Sequence, residues 1–283
     1  MTRPGHSQSA TQSATGMQHP EPSCHEASIQ SLRTHWLQSG QSGQGDPILF
    51  LHGWGSDSSV LWPLAATLGE AGFQVFALDL PGFGETAAPN EAWSVGDYAQ
   101  FVAEFLDQLA LTRLHLVGHS FGGSVAMVLA AAQPDRIGKL ALLSSAGIRR
   151  SPTGLVRWRT QAIRSTRGLL QRLGLANAAQ TLSDWAAARF GSADYRAAQG
   201  VMRATLVRVL AEDLAETAAN IQSPTLLLWG ERDEATPRWQ GELLARTIPD
   251  AGLHVFPGAG HYAFLERWSE TGHILRYFFA EER

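Results

Sequence analysis

The residues Gly118-His119-Ser120-Phe121-Gly122 decide the predicted fold. A short apolar run, residues 114–117, precedes them, and an alanine-rich run without glycine or proline, residues 124–132, follows them. The first run is typical of a buried strand and the second of a helix. A serine at such a strand–turn–helix junction lies in a sharp turn, where the flanking glycines relieve crowding. We therefore interpret Ser120 as a candidate nucleophile.

The composition fits one sizeable globular domain with an insertion. The chain has 283 residues, of which 44% are hydrophobic and 17% charged, and its net charge is −4. This charge gives no reason to expect nucleic acid as a partner. The single cysteine, Cys24, excludes an intrachain disulfide framework and a multi-cysteine metal site. No apolar run reaches the length of a transmembrane segment, and we expect a protein of the reducing cytoplasm.

Residues 1–27 are predicted to form a disordered polar tail. They are rich in Ser, Gln, Thr, Gly, Pro and His, and they have almost no aliphatic side chains. Such a segment cannot bury enough apolar surface to offset the entropy that it loses on ordering. It also lacks the apolar region of a secretory signal. Its histidines and Cys24 match no metal-ligand spacing, so no metal site is predicted there.

Beyond this tail, short apolar runs alternate with helical patterns, which is typical of an α/β fold. Residues 29–47 are predicted as an entry hairpin with its glycine-rich turn at 40–47. Strands that are apolar on both faces indicate a parallel sheet covered by helices. Ser94, with Asp97 three residues later, is a predicted helix N-cap. The predicted strands are 48–51, 74–78, 114–117, 140–143, 224–230 and 253–256, and the predicted helices are 61–71, 94–109, 124–132, 242–246 and 269–279.

Four stretches, in this order along the chain, carry a resemblance to a known family. They are His52-Gly53-Trp54-Gly55, the serine turn, Gly230-Glu-Arg-Asp233 and Gly258-Ala-Gly-His261. Together they resemble the α/β-hydrolase superfamily from about Ile29 to the C-terminus. The resemblance implies a mostly parallel central sheet with helices on both faces and a helical cap inserted over it. It also implies a serine-nucleophile, esterase-like chemistry that uses no cofactor.

The insertion is predicted to span residues 148–221, between core segments 28–147 and 222–283. It has helical periodicity, and its eleven arginines against five acidic residues give it a net charge of +6. A positive cap could favour an anionic substrate or a membrane surface. We favour the alternative that the arginine stems cover apolar residues while their charges stay solvated.

A serine nucleophile needs a base within hydrogen-bond reach, and His261 is the candidate. It directly follows a predicted strand, in a loop of small residues. His119 is adjacent to the nucleophile but points away if Ser120 lies at the tip of the turn, and His52 is interpreted as a packing residue. Three further histidines lie within predicted strands or a helix and are interpreted as structural: His115, His254 and His273.

The base in turn needs a carboxylate that orients it, and Asp233 is the candidate. It lies in a loop after a predicted strand, and it gives the chain order Ser, Asp, His expected for this fold. Glu234 is the nearby alternative, ranked below Asp233 because its side chain is longer and one position later. Asp79 also ends a strand, but the Pro-Gly-x-Gly sequence that follows favours a side chain that closes its own turn.

The oxyanion formed during acyl transfer needs two fixed donors. The residue after the nucleophile supplies one, the Phe121 backbone N–H. The resemblance implies that the Trp54 backbone N–H is the other. Gly53 and Gly55 allow this loop to approach the substrate closely. The side chains of Trp54 and Phe121 are the predicted substrate-binding groups.

These residues and their order predict a serine hydrolase that acts on a small to medium carboxylic ester through an acyl-enzyme. The alternative is a carbon–carbon bond hydrolase of a diketone-type substrate, although the Gly118-His119-Ser120 sequence differs from the Gly-Asn-Ser usual in that group. A third hypothesis, from a different class, is a binding protein with low turnover. The intact set of Ser120, Asp233 and His261 argues against it.

Overall fold

A computed structural model describes residues 21–40, 45–149, 154–179, 181 and 193–280. Within them, eight strands form one sheet in the order β1-β2-β4-β3-β5-β6-β7-β8. All neighbours from β4 to β8 are parallel, whereas β2 is antiparallel to both β1 and β4. The strands are β1 Ser23–Ile29, β2 Leu32–Ser39, β3 Ile48–Leu51, β4 Val75–Leu78, β5 Leu114–His119, β6 Ile137–Leu143, β7 Thr225–Gly230 and β8 Ala251–Phe256.

Helices cover both faces of the sheet, which confirms the predicted fold class. The helices with described bounds are α1 Ser58–Glu70, α2 Val95–Gln108, α3 Phe121–Ala132, α4 Gly154–Arg172, α5 Ala193–Ala197, α6 Gly200–Val209, α7 Ala215–Ala218, α8 Arg238–Thr247, α9 Ala263–Glu266 and α10 Trp268–Phe279. None of these helices is long and apolar enough to cross a membrane.

The core consists of two apolar layers, one on each face of the sheet. Side chains of α2, α3 and α8 pack on one face, including Phe101, Met127 and Leu244, and those of α1 and α10 pack on the other, including Leu61 and Phe279. All residues of β3 and β4 are buried. Since burying one large apolar side chain contributes about 1.5–3 kcal/mol, these layers fix the strands whose carboxyl ends carry the candidate site.

Local capping agrees with the sequence at the start of α2. The Ser94 side chain accepts the Asp97 N–H, and the Asp97 carboxylate accepts the Ser94 N–H, a complete capping box. These hydrogen bonds satisfy two backbone donors that a helix N-terminus leaves without partners. The predicted N-cap is therefore confirmed.

The predicted tail extends too far into the chain, because β1 begins at Ser23 and not after Ala27. This strand pairs with β2 along its whole length, and the His25 ring stacks on the buried Trp36 at 5.4 Å. Backbone pairing therefore orders a segment whose side chains are mostly polar, a contribution that aliphatic content does not reveal. Residues 1–20 lie outside the described part of the chain.

The predicted hairpin turn is also misplaced. The β1–β2 connection is made by Gln30 and Ser31, which both have positive φ angles, 47° and 65°. Two-residue turns of this conformation match the twist of paired strands. The predicted turn at 40–47 instead joins β2 to β3, and residues 41–44 of it lie outside the described residues.

The segment between β6 and β7 contributes helices α4 to α7, and its C-terminal half docks on the loop before α2. The Trp93 N–H donates to Thr205 Oγ1 at 3.2 Å, and the Val95 N–H donates to Glu212 Oε1 at 3.0 Å. Leu214 donates its N–H to the Gly147 carbonyl at 2.8 Å. These contacts bring α6 next to the carboxyl ends of the central strands.

Candidate active site

Ser120 lies between β5 and α3 in a conformation that is unusual for a residue with a side chain. Its φ and ψ are 49° and −114°. Such a conformation persists only where the surroundings impose it, and it is common at functional sites. Here the Ser120 N–H donates to the Leu143 carbonyl at 3.1 Å, and the Ser120 carbonyl accepts the Ala146 N–H at 2.9 Å. The neighbouring strand β6 therefore holds the turn in place.

The two glycines of the motif are required by close backbone contacts. A Cβ atom on Gly118 would lie 2.6 Å from the Gly122 carbonyl oxygen, and one on Gly122 would collide with the backbone of Leu51. Only glycine allows β5, α3 and β3 to approach each other this closely. Both glycines of the turn therefore have the role predicted for them, relief of crowding.

The His52–Gly55 loop passes directly over Ser120. A Cβ atom on Gly53 would lie 3.3 Å from Ser120 Cβ. Phe121 is the first residue of α3, so its backbone N–H has no acceptor within the helix. Trp54 and Phe121, the two predicted oxyanion donors, both line the cavity above Ser120. Their rings are in edge contact at 5.3 Å.

His52 supports this loop from below, in the packing role expected of it. Its Nε2 accepts the Leu80 N–H at 2.9 Å, so the proton resides on Nδ1, which donates to the Gly53 carbonyl at 2.8 Å. Burial lowers the pKa of His52 and outweighs the Gly53 contact and the nearby carboxylates of Asp79 and Asp57, which raise it. A neutral ring with this tautomer holds the Gly53 carbonyl in place through the Nδ1–H hydrogen bond.

His261 and Asp233 are brought together by the loops that follow β8 and β7. His261 Nδ1 lies 2.9 Å from Asp233 Oδ2. The Asp233 side chain is fully buried, and that of His261 is 20% exposed at the cavity. The acid can therefore orient the imidazole while the other ring nitrogen remains available on the cavity side.

The environment of Asp233 keeps it ionised. Burial raises its pKa, but hydrogen bonds from His261 and Thr236 outweigh burial, and the net effect is a lowered pKa. The alternative acid, Glu234, is exposed. The geometry thus favours Asp233 over its neighbour for the orienting position.

Asp79 has the structural environment that its turn sequence predicts. Its carboxylate accepts the backbone N–H of Ser58 at 2.7 Å and that of Glu85 at 3.0 Å, and it contacts His35 Nδ1 at 2.8 Å. Burial raises the pKa of Asp79, and these hydrogen bonds together lower it below its usual value. The side chain closes its own turn and anchors the start of α1.

The cavity above Ser120 has a volume of about 580 Å³, within the range of small-molecule sites. Its described lining is mostly apolar and comes from both the core and the segment between β6 and β7. The charged side chains in this lining are Arg149, Asp194 and Glu212. The other described residues that line it are Gly53, Trp54, Val95, His119, Ser120, Phe121, Ser124, Ala146, Gly147, Ile148, Leu206, Val209, Leu210, Ala235, Thr236, Gln240, His261 and Tyr262.

Two further residues, Thr236 and Glu266, contribute to the site and are not among the residues predicted from the sequence. Thr236 contacts both Asp233 and His261, and the Glu266 carboxylate accepts the Gly260 N–H in the loop that carries His261. The position of Thr236, three residues after an aspartate, is a signal for a turn closed by the carboxylate. No comparable local signal indicates Glu266.

Among the described residues, no cluster of His, Cys, Asp and Glu side chains could hold a metal ion.

Comparisons with known proteins agree with this geometry. A family model described as alpha/beta hydrolase fold matches residues 46–267. The chain is 30% identical over 254 residues to the 2-hydroxy-6-oxononadienedioate/2-hydroxy-6-oxononatrienedioate hydrolase 2 of Pseudomonas putida, covering 82% of this chain and 86% of the relative.

A second relative is longer than this chain. The dihydrolipoyllysine-residue acetyltransferase component of the acetoin cleaving system of Pseudomonas putida is 29% identical over 258 residues, which cover 87% of this chain and 66% of the relative. Among solved structures, an N-acyl homoserine lactone degrading enzyme superposes with a TM-score of 0.68 at 26% identity, covering 90% of this chain and 100% of that chain.

Proposed function

This chain belongs to the α/β-hydrolase fold family, and we propose that it is a serine hydrolase that cleaves a small to medium carboxylic ester. One observation carries the proposal. A buried, ionised Asp233 is hydrogen-bonded to His261 at the edge of a cavity whose floor is Ser120, a residue held at a strained strand–helix turn.

In the proposed reaction, Ser120 Oγ attacks the ester carbonyl carbon, and His261 Nε2 takes the hydroxyl proton. Asp233 holds the Nδ1 tautomer and stabilises the imidazolium that forms, without taking a proton itself. The carbonyl oxygen becomes an oxyanion and receives hydrogen bonds from the backbone N–H groups of Trp54 and Phe121. Losing one such donor typically costs about 10²–10³ in kcat.

The tetrahedral intermediate collapses when the bond to the alcohol oxygen breaks and His261 Nε2 returns the proton to that oxygen. The acyl group remains on Ser120 as an ester. Water then attacks the acyl-enzyme, with His261 again accepting a proton. The free acid departs when the bond between its carbonyl carbon and Ser120 Oγ breaks and the proton returns to Ser120.

A carbon–carbon bond hydrolase is the second candidate. The Pseudomonas putida relative at 30% identity is named as a hydrolase of hydroxy-oxo-dioates. Such compounds have a ketone but no ester bond, so their hydrolysis must break a carbon–carbon bond. That relative's substrate is named as a dioate and thus bears two carboxylates. The charged groups in the described lining of this cavity are one cation and two acids, Arg149 against Asp194 and Glu212. This balance supports a neutral ester over a dianionic diketone.

The decisive experiment offers the purified protein matched pairs of substrates, each a p-nitrophenyl ester and a 1,3-diketone with the same acyl group. We expect turnover of acetyl and butyryl esters, a burst of p-nitrophenol consistent with an acyl-enzyme, and neither signal from Ser120→Ala. A serine-directed fluorophosphonate should label the peptide that contains Ser120. Diketone cleavage in excess of ester cleavage would instead favour the second candidate, and the absence of both would favour a binding protein.

A further inference from the structure

Thr236 forms a dense set of contacts around the acid–base pair. Its hydroxyl oxygen lies 2.8 Å from Asp233 Oδ2, the same oxygen that contacts His261 Nδ1. It also lies 3.0 Å from the Ser144 carbonyl oxygen and 3.3 Å from His261 Nδ1. The Thr236 backbone N–H donates to the other carboxylate oxygen, Asp233 Oδ1, at 2.8 Å.

We propose that Thr236 is a positioning residue whose hydroxyl holds the Asp233 carboxylate within hydrogen-bond distance of His261. The proposal rests on the proposed function, since it assigns a role within that reaction. Thr236 does not need to touch the substrate or the reacting atoms, because it acts through Asp233.

The direction of these hydrogen bonds follows from which groups carry a hydrogen and which can only accept one. The ionised Asp233 carboxylate and the Ser144 carbonyl can both only accept, and the Thr236 hydroxyl has a single hydrogen. That hydrogen points toward Asp233 Oδ2, which is the nearer acceptor and carries charge. A lone pair of the hydroxyl oxygen then faces the N–H of His261, whose main acceptor is Oδ2 at 2.9 Å. One carboxylate oxygen thus receives two donors and is held between them.

Several features fix the side chain of Thr236 itself. It is 5% exposed, and its carbonyl accepts the indole N–H of the fully buried Trp229 at 2.6 Å. Ser144, whose carbonyl oxygen lies 3.0 Å from the Thr236 hydroxyl oxygen, has a positive φ of 44°. Its own hydroxyl is buried and has no hydrogen-bond partner among the described residues. Strain and an unsatisfied group of this kind are retained where the surrounding geometry requires them.

Thr236→Val tests the proposal because valine keeps the backbone N–H and the branched shape but replaces the hydroxyl with a methyl group. A methyl carbon cannot approach a carboxylate oxygen to 2.8 Å, so the carboxylate must move away from His261. We expect kcat to fall roughly tenfold, the effect of losing one hydrogen bond to a charged group, with KM unchanged. The hydrogen bond between His261 Nδ1 and the displaced carboxylate should weaken.

The matched control is a second pair, Thr236→Ser and Thr236→Ala. Serine retains the hydroxyl and should keep kcat close to that of the wild type, whereas alanine should behave like valine. This pair isolates the hydroxyl from the methyl group, so that a folding defect in the valine protein would not decide the outcome. Equal Tm values for serine and alanine proteins would exclude a general loss of stability.

The spectroscopic readout is the NMR spectrum of ¹⁵N-histidine-labelled protein, which needs no substrate. It follows the proton on His261 Nδ1, which lies 2.9 Å from its acceptor, Asp233 Oδ2. Displacing this acceptor weakens the hydrogen bond, so the Nδ1–H resonance should move upfield in the valine and alanine proteins alone. This result supports the positioning role even if the natural reaction is not ester cleavage. An unchanged resonance in those two proteins, or a serine protein as impaired as the alanine protein, would overturn it.

Discussion

His119 Nε2 donates a hydrogen bond to the carbonyl oxygen of His261, and 3.2 Å separates the two atoms. His119 is the last residue of β5 and immediately precedes Ser120. Burial, followed by the proximity of His261, lowers the pKa of His119 to about 3, so its ring is neutral in any ordinary assay. The bond joins the strand that carries the candidate nucleophile to the loop that carries the candidate base.

Replacing His119 with phenylalanine should slow the reaction by separating these two elements. The aromatic ring keeps its packing against Tyr262 and Phe264, at 5.1 Å and 4.7 Å, but the donor is lost. We expect a fall in kcat of roughly tenfold, the effect of one hydrogen bond of about 1.4 kcal/mol, with little change in KM. His119→Gln, which retains an N–H donor, should recover part of the loss. Equal kinetics for the phenylalanine and wild-type proteins would contradict this role.

Asp233→Asn should lower kcat on any ester substrate by about 10³-fold or more, because an amide cannot hold the required imidazole tautomer. Glu234→Gln is the matched control, since it makes the same chemical change at the adjacent, exposed position. Its kcat should equal that of the wild type. The reverse pattern, with activity lost only in the Glu234 variant, would show that the acid is misassigned.

Much of the site was predictable because its residues are marked by local sequence. The turn at Ser120 requires glycines at fixed offsets, and the strand before it is continuously apolar, so both signals are local. Asp233 and His261 each follow a buried strand of a parallel sheet, whose carboxyl ends lie at one edge. Chain order therefore indicated the residues that the fold brings together.

The remaining features depend on contacts between distant segments. The Thr236 hydroxyl meets the Ser144 carbonyl across 92 positions of the chain, and no local pattern records that contact. The strand β1 was missed for a related reason. It lies at the edge of the sheet, where backbone pairing with β2 rather than apolar burial specifies the strand.

Two N-terminal truncations should therefore differ in stability. Removing residues 1–20 leaves β1 intact, and we expect the Tm to remain within about 1 °C of the full chain. Removing residues 1–27 deletes most of β1 and exposes Trp36, so we expect the Tm to fall by several degrees. A Tm for the longer truncation equal to that of the full chain would mean that β1 adds nothing to stability. Thermal unfolding followed by circular dichroism measures both.

The buried His115 should make the protein less stable in mild acid. Burial, partly offset by Asp46, lowers its folded-state pKa to about 4, whereas an unfolded histidine titrates near 6.5. The unfolded chain thus binds one more proton than the folded chain between these values, and stability falls as pH drops through this window. At about pH 5 the loss approaches 2 kcal/mol.

His115→Phe tests this contribution, because phenylalanine preserves the stacking on Phe279 at 5.0 Å while removing the titration. The difference in Tm between about pH 7.5 and about pH 5 should be smaller in the variant than in the wild type. The same pH dependence in both proteins would mean that His115 is not the group responsible.

Arg149 is the residue through which the positive charge of the inserted segment would act on a substrate in the cavity. It is the arginine in the described lining of the cavity, and it is accompanied there by Asp194 and Glu212. Two other described arginines of the segment, Arg203 and Arg208, are engaged elsewhere. Arg208 donates to the Ala92 carbonyl at 2.8 Å, and Arg203 donates to the Ala198 carbonyl at 2.8 Å and lies over the Tyr195 ring.

We therefore expect neutral acyl esters to be preferred over matched esters that carry a carboxylate, with kcat/KM for the neutral substrate almost independent of salt. Each additional methylene that the apolar lining buries should add about 0.8 kcal/mol of binding until the cavity is full.

Arg149→Gln should change kcat/KM for the carboxylate-bearing ester alone. Arg172→Gln alters an exposed position on α4 and should change kcat/KM for neither ester. The measurement compares both esters at low and high ionic strength. A strong preference for the anionic ester that disappears with salt would contradict this expectation, since salt screens long-range charge within about 10 Å at 0.1 M, and it would show that the arginines attract acidic substrates.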